Sequence, residues 1–95
     1  MKNNSFNPTV TIYITNYNYG DFINNAIKSV LDQTYTDFEL IIIDDGSSDD
    51  SREIINNYQK NKNIYAVFQD NRGLNASNNV ALNLARGKYI VRLPS

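Results

Sequence analysis

Three short segments carry most of the side chains that could bind or polarise a ligand. The first is Thr15-Asn16-Tyr17-Asn18-Tyr19-Gly20, two tyrosine rings set among amides beside one glycine. A flat ring at a strand end can stack on a nucleobase, and an asparagine can hydrogen-bond a base edge or a ribose. The same residues also make a polar turn whose tyrosines pack on the following helix. The second segment opens with Asp44-Asp45 and continues Gly46-Ser47-Ser48-Asp49-Asp50. A carboxylate here can accept from a ribose hydroxyl or a base N–H. Equally, Asp, Gly and Ser are what a helix start prefers. Adjacent side chains leave a strand in opposite directions, so one carboxylate is expected in a ligand crevice and the other capping a helix or orienting the loop. A metal on the pair is disfavoured, because the further oxygen ligands such an ion needs are not evident. The third segment, Asn71-Arg72-Gly73-Leu74-Asn75-Ala76-Ser77-Asn78-Asn79, opens a helix. Its amides could receive a phosphate, with Arg72 adding charge, or it is an ordinary loop with an exposed arginine.

Each segment follows a run that reads as a strand. Thr9 to Thr15 is rich in β-branched residues, Phe38 to Ile43 is nearly all apolar, and Ile64 to Phe68 and Tyr89 to Leu93 are short apolar runs. The second run suits a strand covered on both faces. Between them lie helical patterns. Phe22, Ile23, Ala26, Ile27, Val30 and Leu31 recur at three-and-four spacing within Asp21 to Gln33. Ile54, Ile55 and Tyr58 give a thin apolar edge behind Ser48 or Asp49 as cap, and Asp50 with Glu53 resembles a capping box. Ala76, Val80, Ala81, Leu84 and Ala85 form a third face stopped at Gly87. The expected order is β-α-β-α-β-α-β, an α/β, Rossmann-like parallel sheet with right-handed crossovers and helices on both faces. Ligands bind such sheets beyond the carboxyl ends of the strands, where the three segments fall.

Composition removes other chemistries. With no cysteine and no histidine the chain has no disulfide, no thiolate, none of the usual zinc ligands and no imidazole base. Absence of cysteine fits a reducing, cytoplasmic setting. Nine basic and ten acidic residues are scattered without a basic stripe, so a nucleic-acid partner is not expected. The polar leader, residues 1–8 (MKNNSFNP), lacks the apolar core of a signal peptide, and Leu40 to Ile43 is far too short to span a bilayer.

In combination the segments resemble the family 2 glycosyltransferases, which have the GT-A fold. VTIYITNYN, AIKSVLDQTYTDFELIIIDDGSSDDS and NRGLNASNNVALNLARGKYI stand at the family's order and spacing, from about Val10 to Leu93. The resemblance implies that residues 9–95 are the nucleotide-binding half of a GT-A domain, ending before the acidic metal motif. It implies a UDP- or dTDP-sugar donor. Thr15, Tyr17 and Asn18 match the nucleoside-contacting motif, with Tyr17 the stacking ring. Asp45 matches the acid that hydrogen-bonds the base, with Asp44 beside it, and Gly73 and Asn79 lie near the ribose and diphosphate. A longer parent is expected to transfer the sugar to a glycan or lipid-carrier hydroxyl, to use Mn²⁺ or Mg²⁺, and to associate with membranes.

Three departures accompany this resemblance. The family's proline is absent at Ile14 or Thr15, its A-R-N arginine is Asn78, and Pro94 stands where the first metal-binding acid belongs. No catalytic residue and no metal ligand are therefore expected within these 95 residues, which should be inactive alone. Two other readings compete. One is a non-catalytic nucleotide-binding or oligomerising α/β module, forming a homodimer through uncovered apolar surface. The other is a nucleotidyltransferase or dehydrogenase, against which the missing glycine-rich first loop speaks.

Overall fold

The computed structural model describes residues 8–33 and 36–93. Pro94, the residue expected in place of the first metal-binding acid, lies outside the described residues, as does the leader before Pro8. Strands and helices alternate: β1 (Val10–Asn16), α1 (Gly20–Asp32), β2 (Phe38–Asp45), α2 (Ser51–Asn57), β3 (Ile64–Gln69), α3 (Leu74–Leu84) and β4 (Tyr89–Leu93). The strands form one parallel sheet in the order β3-β2-β1-β4. The order reverses between β1 and β4, so the first crossovers run one way along the sheet and the last returns past β1.

Side-chain alternation divides the sheet into two layers. Ile12 and Ile14 of β1 and Phe38, Leu40 and Ile42 of β2 face α1, whose Ile23, Ala26, Ile27 and Val30 complete one core with Ile55 of α2. Tyr13, Ile41 and Ile43 face the other way and meet Ala81, Val80 and Leu84 of α3. Every residue of β2 is buried, because it is central in the sheet and covered on both faces. Full burial of one such isoleucine is worth about 1.5–3 kcal/mol, so β2 is the main anchor of the fold. By contrast Tyr89, Ile90 and Val91 of the edge strand β4 are about half exposed.

Two differences from the sequence reading bear on the site, beside shifts of one residue at the ends of β1, α1 and β3. Asp44 and Asp45 belong to β2 itself, in register with Asn16 of β1 and with Phe68 and Gln69 of β3. A polar pair can sit there because every carboxylate oxygen finds donors on neighbouring strands or loops. The expected capping box also fails to form: Asp50 occupies the cap position of α2 without a side-chain hydrogen bond. Asp49 serves instead, accepting from the Ser51 amide at 2.9 Å and from the Gly20 amide of α1 at 3.0 Å.

The amino-terminal end of the sheet is tied by a buried ion pair. Glu39, almost fully buried, accepts from the Thr11 hydroxyl at 2.6 Å and from the Arg86 amide at 2.6 Å, and it pairs with the Arg86 guanidinium at 3.0 Å. Gly87 then passes close to β1, its amide 2.8 Å from the Thr11 hydroxyl oxygen. No described helix is long and apolar enough to cross a membrane.

Candidate functional site

At the carboxyl ends of β1, β2 and β3 the chain makes a cleft of about 380 Å³ on the α3 side of the sheet. That volume falls within the range of small-ligand pockets, roughly 300–1,000 Å³. Thr15, Tyr17 and Tyr19 come from the end of β1 and its loop, Asp45 from β2, Asn71 and Gly73 from the β3–α3 loop, Leu74 and Ser77 from α3, and Arg92 from β4. A second cleft of about 460 Å³ lies between α1 and α2, lined by Asn24, Asn57 and Tyr58 among others. It is larger, but it opens on the flank of the helices and draws on no strand end. The first cleft sits where parallel sheets place their ligands.

Asp45 organises this cleft. It is nearly buried and points to the α3 side because it follows Asp44 on a strand. Its oxygens accept from Gln69 Nε2 at 2.9 Å, the Arg72 amide at 2.8 Å and the Gly73 amide at 2.9 Å. A carboxylate offers about four acceptor positions, which leaves one for the Ser77 hydroxyl or for a ligand N–H. Two of the amides that the sequence offered as phosphate donors, those of Arg72 and Gly73 just before α3, are thus already committed to Asp45. The carboxylate is itself the anion at the positive end of that helix.

Burial opposes ionisation of Asp45. Hydrogen bonds from Gln69, the Arg72 and Gly73 amides and Ser77 together outweigh it and hold the pKa below the ordinary 3.8. A depressed folded-state pKa adds stability that is complete above the ordinary value and is lost as pH falls through the lower one. Asp45→Asn is expected to cost about 1–3 kcal/mol at neutral pH by turning an amide N–H toward two backbone donors. It should also flatten the fall in urea midpoint between about pH 5 and pH 2. Asp49, held low by its hydrogen bonding with Ser51, keeps part of that acid sensitivity.

The other sequence candidates fall in two groups. Thr15, Tyr17 and Gly73 line the cleft with Asp45, and Tyr17 leaves its ring about half exposed. Asn18, Asp44 and Asn79 are not among the lining residues. Asn18 adopts a left-handed backbone conformation, φ 56°, which asparagine tolerates. That turns its side-chain Oδ1 onto the second loop, where it accepts from the Ser48 and Asp49 amides at 2.7 and 3.2 Å. Asp44 is fully buried on the opposite face, held by Asn16 Nδ2 at 3.1 Å, the Ser47 hydroxyl at 2.6 Å and Arg52 at 3.4 Å. Asn79 is exposed two residues beyond Ser77, and a two-residue step carries it about 200° around the helix, away from the sheet.

Asn16, Tyr19, Asn71, Leu74, Ser77 and Arg92 also line the cleft, and the resemblance singles out none of them. Tyr19 carries a signal as the second ring of the first segment, and Arg92 as a charge inside the apolar run of β4. Among the described residues no group of three or more carboxylates could hold a metal ion.

Comparison with known proteins decides the family. Residues 11–93 match the family model described as Glycosyl transferase family 2. The chain belongs to that family. This family 2 domain is 40% identical over 89 residues to the chondroitin synthase of Escherichia coli, a match covering 93% of the chain and 13% of the synthase. The chain spans between 9% and 37% of the curated relatives it matches. Its fold is that of GT-A glycosyltransferases. S. aureus TarS 1–349 in complex with UDP superposes with a TM-score of 0.84 at 24% identity, covering 92% of this chain and 27% of that one. The mannosyltransferase PcManGT from Pyrobaculum calidifontis, in complex with GDP-Man and Mn²⁺, superposes with a TM-score of 0.73 at 22% identity, covering 85% and 25%.

Proposed function

We propose that the strand-end cleft is the nucleoside end of a donor site, in a protein that transfers a sugar from a UDP- or dTDP-sugar to a hydroxyl of a glycan or lipid-linked acceptor. The observation that carries this reading is the convergence of Tyr17 and Asp45 on one cleft, one ring and one acceptor from neighbouring strand tips. Tyr17 stacks on the pyrimidine, while the base N–H takes the Asp45 acceptor position that the Ser77 hydroxyl otherwise fills. Thr15 and Gly73 border the ribose, Gly73 without a side chain to fill the space. Asn18 and Asp44 act indirectly, by holding the loops that carry Tyr17 and Asp45.

The named neighbours support the donor class, since TarS has been seen with UDP and UDP-GlcNAc and PcManGT with GDP-Man. The Mn²⁺ in PcManGT supports a divalent cation in the longer protein, where it would neutralise charge on the leaving diphosphate. The described acids do not form a site for it. The cleft residues bind and orient the donor, and the chain on its own is expected to bind without turnover.

Calorimetry with UDP and dTDP tests the pocket. Tyr17→Ala is expected to weaken binding about tenfold, the order of one base–aromatic stack. Equal affinity for the unaltered chain and the variant, or no binding by either, would remove the pocket from this place.

A further inference from the structure

The cleft has a well-satisfied anion but needs a cation if its ligand carries a diphosphate. Asp45 already takes the Arg72 and Gly73 amides just before α3, and the first-turn amides that follow offer only the partial charge of a helix end. Arg72 is exposed and does not line the cleft. Arg92 is the one cationic side chain among the described lining residues. The two other arginines outside that loop are committed to carboxylates, Arg52 to Asp44 and Arg86 to Glu39. The Arg92 side chain makes no hydrogen bond or ion pair with any other described residue.

Its place in the sheet fits the task. Arg92 is in register with Tyr13 of β1, which is in register with Ile41 of β2, four residues before Asp45. Two strand spacings across and four residues along separate the two Cα atoms by roughly 16 Å. That is on the order of an extended nucleoside diphosphate plus the reach of an arginine. α3 packs mainly on β2 and β1, so the Arg92 face of β4 stays open toward the cleft.

We propose that Arg92 holds the anionic end of the donor, its guanidinium forking onto an oxyanion of the nucleotide-sugar; the assignment rests on the donor-cleft reading above. Planar two-point contact with phosphate or carboxylate is what arginine does better than lysine. The oxyanion is a phosphate of the diphosphate or the carboxylate of an acidic donor sugar.

The test is titration of the full chain, Arg92→Gln and Arg92→Lys with uridine, UDP, UDP-glucose and UDP-glucuronate at one fixed salt concentration, followed by NMR shifts. Those shifts also report whether each variant keeps its fold. Arg92→Gln is expected to weaken UDP about tenfold and to leave uridine unchanged, with Arg92→Lys between. If the loss instead appears only for UDP-glucuronate relative to UDP-glucose, the proposal stands with the sugar carboxylate as the partner. Equal weakening of uridine and UDP, or no change with any probe, overturns it. So does an unaltered chain that binds uridine as tightly as UDP. An unaltered chain that binds neither sinks the donor-cleft reading itself, and this assignment with it.

Discussion

Arg86→Ala is expected to lower the unfolding free energy by about 3 kcal/mol, the low end for breaking a buried ion pair by removing one partner. The cost arises from what is left behind. Glu39 would remain nearly buried on the sheet, with only the Thr11 hydroxyl and the residue-86 amide to satisfy a full charge. Arg86 itself is partly exposed, its side chain 20% accessible against 4% for Glu39, which keeps the estimate at that low end. For a domain of this size 3 kcal/mol lowers the melting temperature by more than about 10 °C. Glu39→Gln in the same background should restore part of the loss, since a neutral amide no longer needs the guanidinium. Urea unfolding of both single variants and the double variant measures the coupling, and simple additivity would show that the pair does not matter. The network lies at the opposite end of the strands from the cleft, so nucleotide affinity of the folded fraction should hardly move.

Gly46→Ala is expected to cost about 2–3 kcal/mol and to weaken nucleotide binding at the same time. Gly46 has φ 77°, a region where a side chain is strained. A Cβ there would also lie 2.6 Å from the Asn71 backbone nitrogen, too close for any contact without backbone movement. The displaced segment is the one whose next amides, at Arg72 and Gly73, bond to Asp45. The substitution therefore loosens the third loop and the Asp45 carboxylate together. Gly73→Ala supplies the contrast, because its φ of 92° is also unfavourable but nothing lies within 4 Å of the added Cβ. Its cost in stability should come from strain alone, with any loss of affinity due to a methyl at the ribose edge and not to a displaced loop. Thermal melts paired with UDP titration separate the two, and a Gly46→Ala chain with unchanged affinity would mean that the two loops are not coupled.

The alternation of apolar runs made the layout of the sheet legible, and the pairing of Asp44 with Asp45 made it legible that the two would part. Which carboxylate faces the cleft depends on strand register, a long-range property. Asn16 beside Asp44 and Gln69 beside Asp45 fix it, and neither pairing can be read locally. Asn18 and Asn79 illustrate the remaining difficulty. Both are polar residues in the right segments, yet a left-handed backbone turns one onto the neighbouring loop and helical phase turns the other to solvent. Motif position gives the neighbourhood of a site, whereas side-chain direction follows from dihedral angles and packing that the motif does not state.

The contact from Asn18 to Ser48 and Asp49, together with the Asp49 bond to Gly20, joins the tips of two strands that are about thirty residues apart in sequence. Conformational freedom in both loops is thereby surrendered when the chain folds. Under the donor-cleft proposal, an arriving nucleotide would meet a pre-arranged seat and need not expend its own binding energy on ordering it.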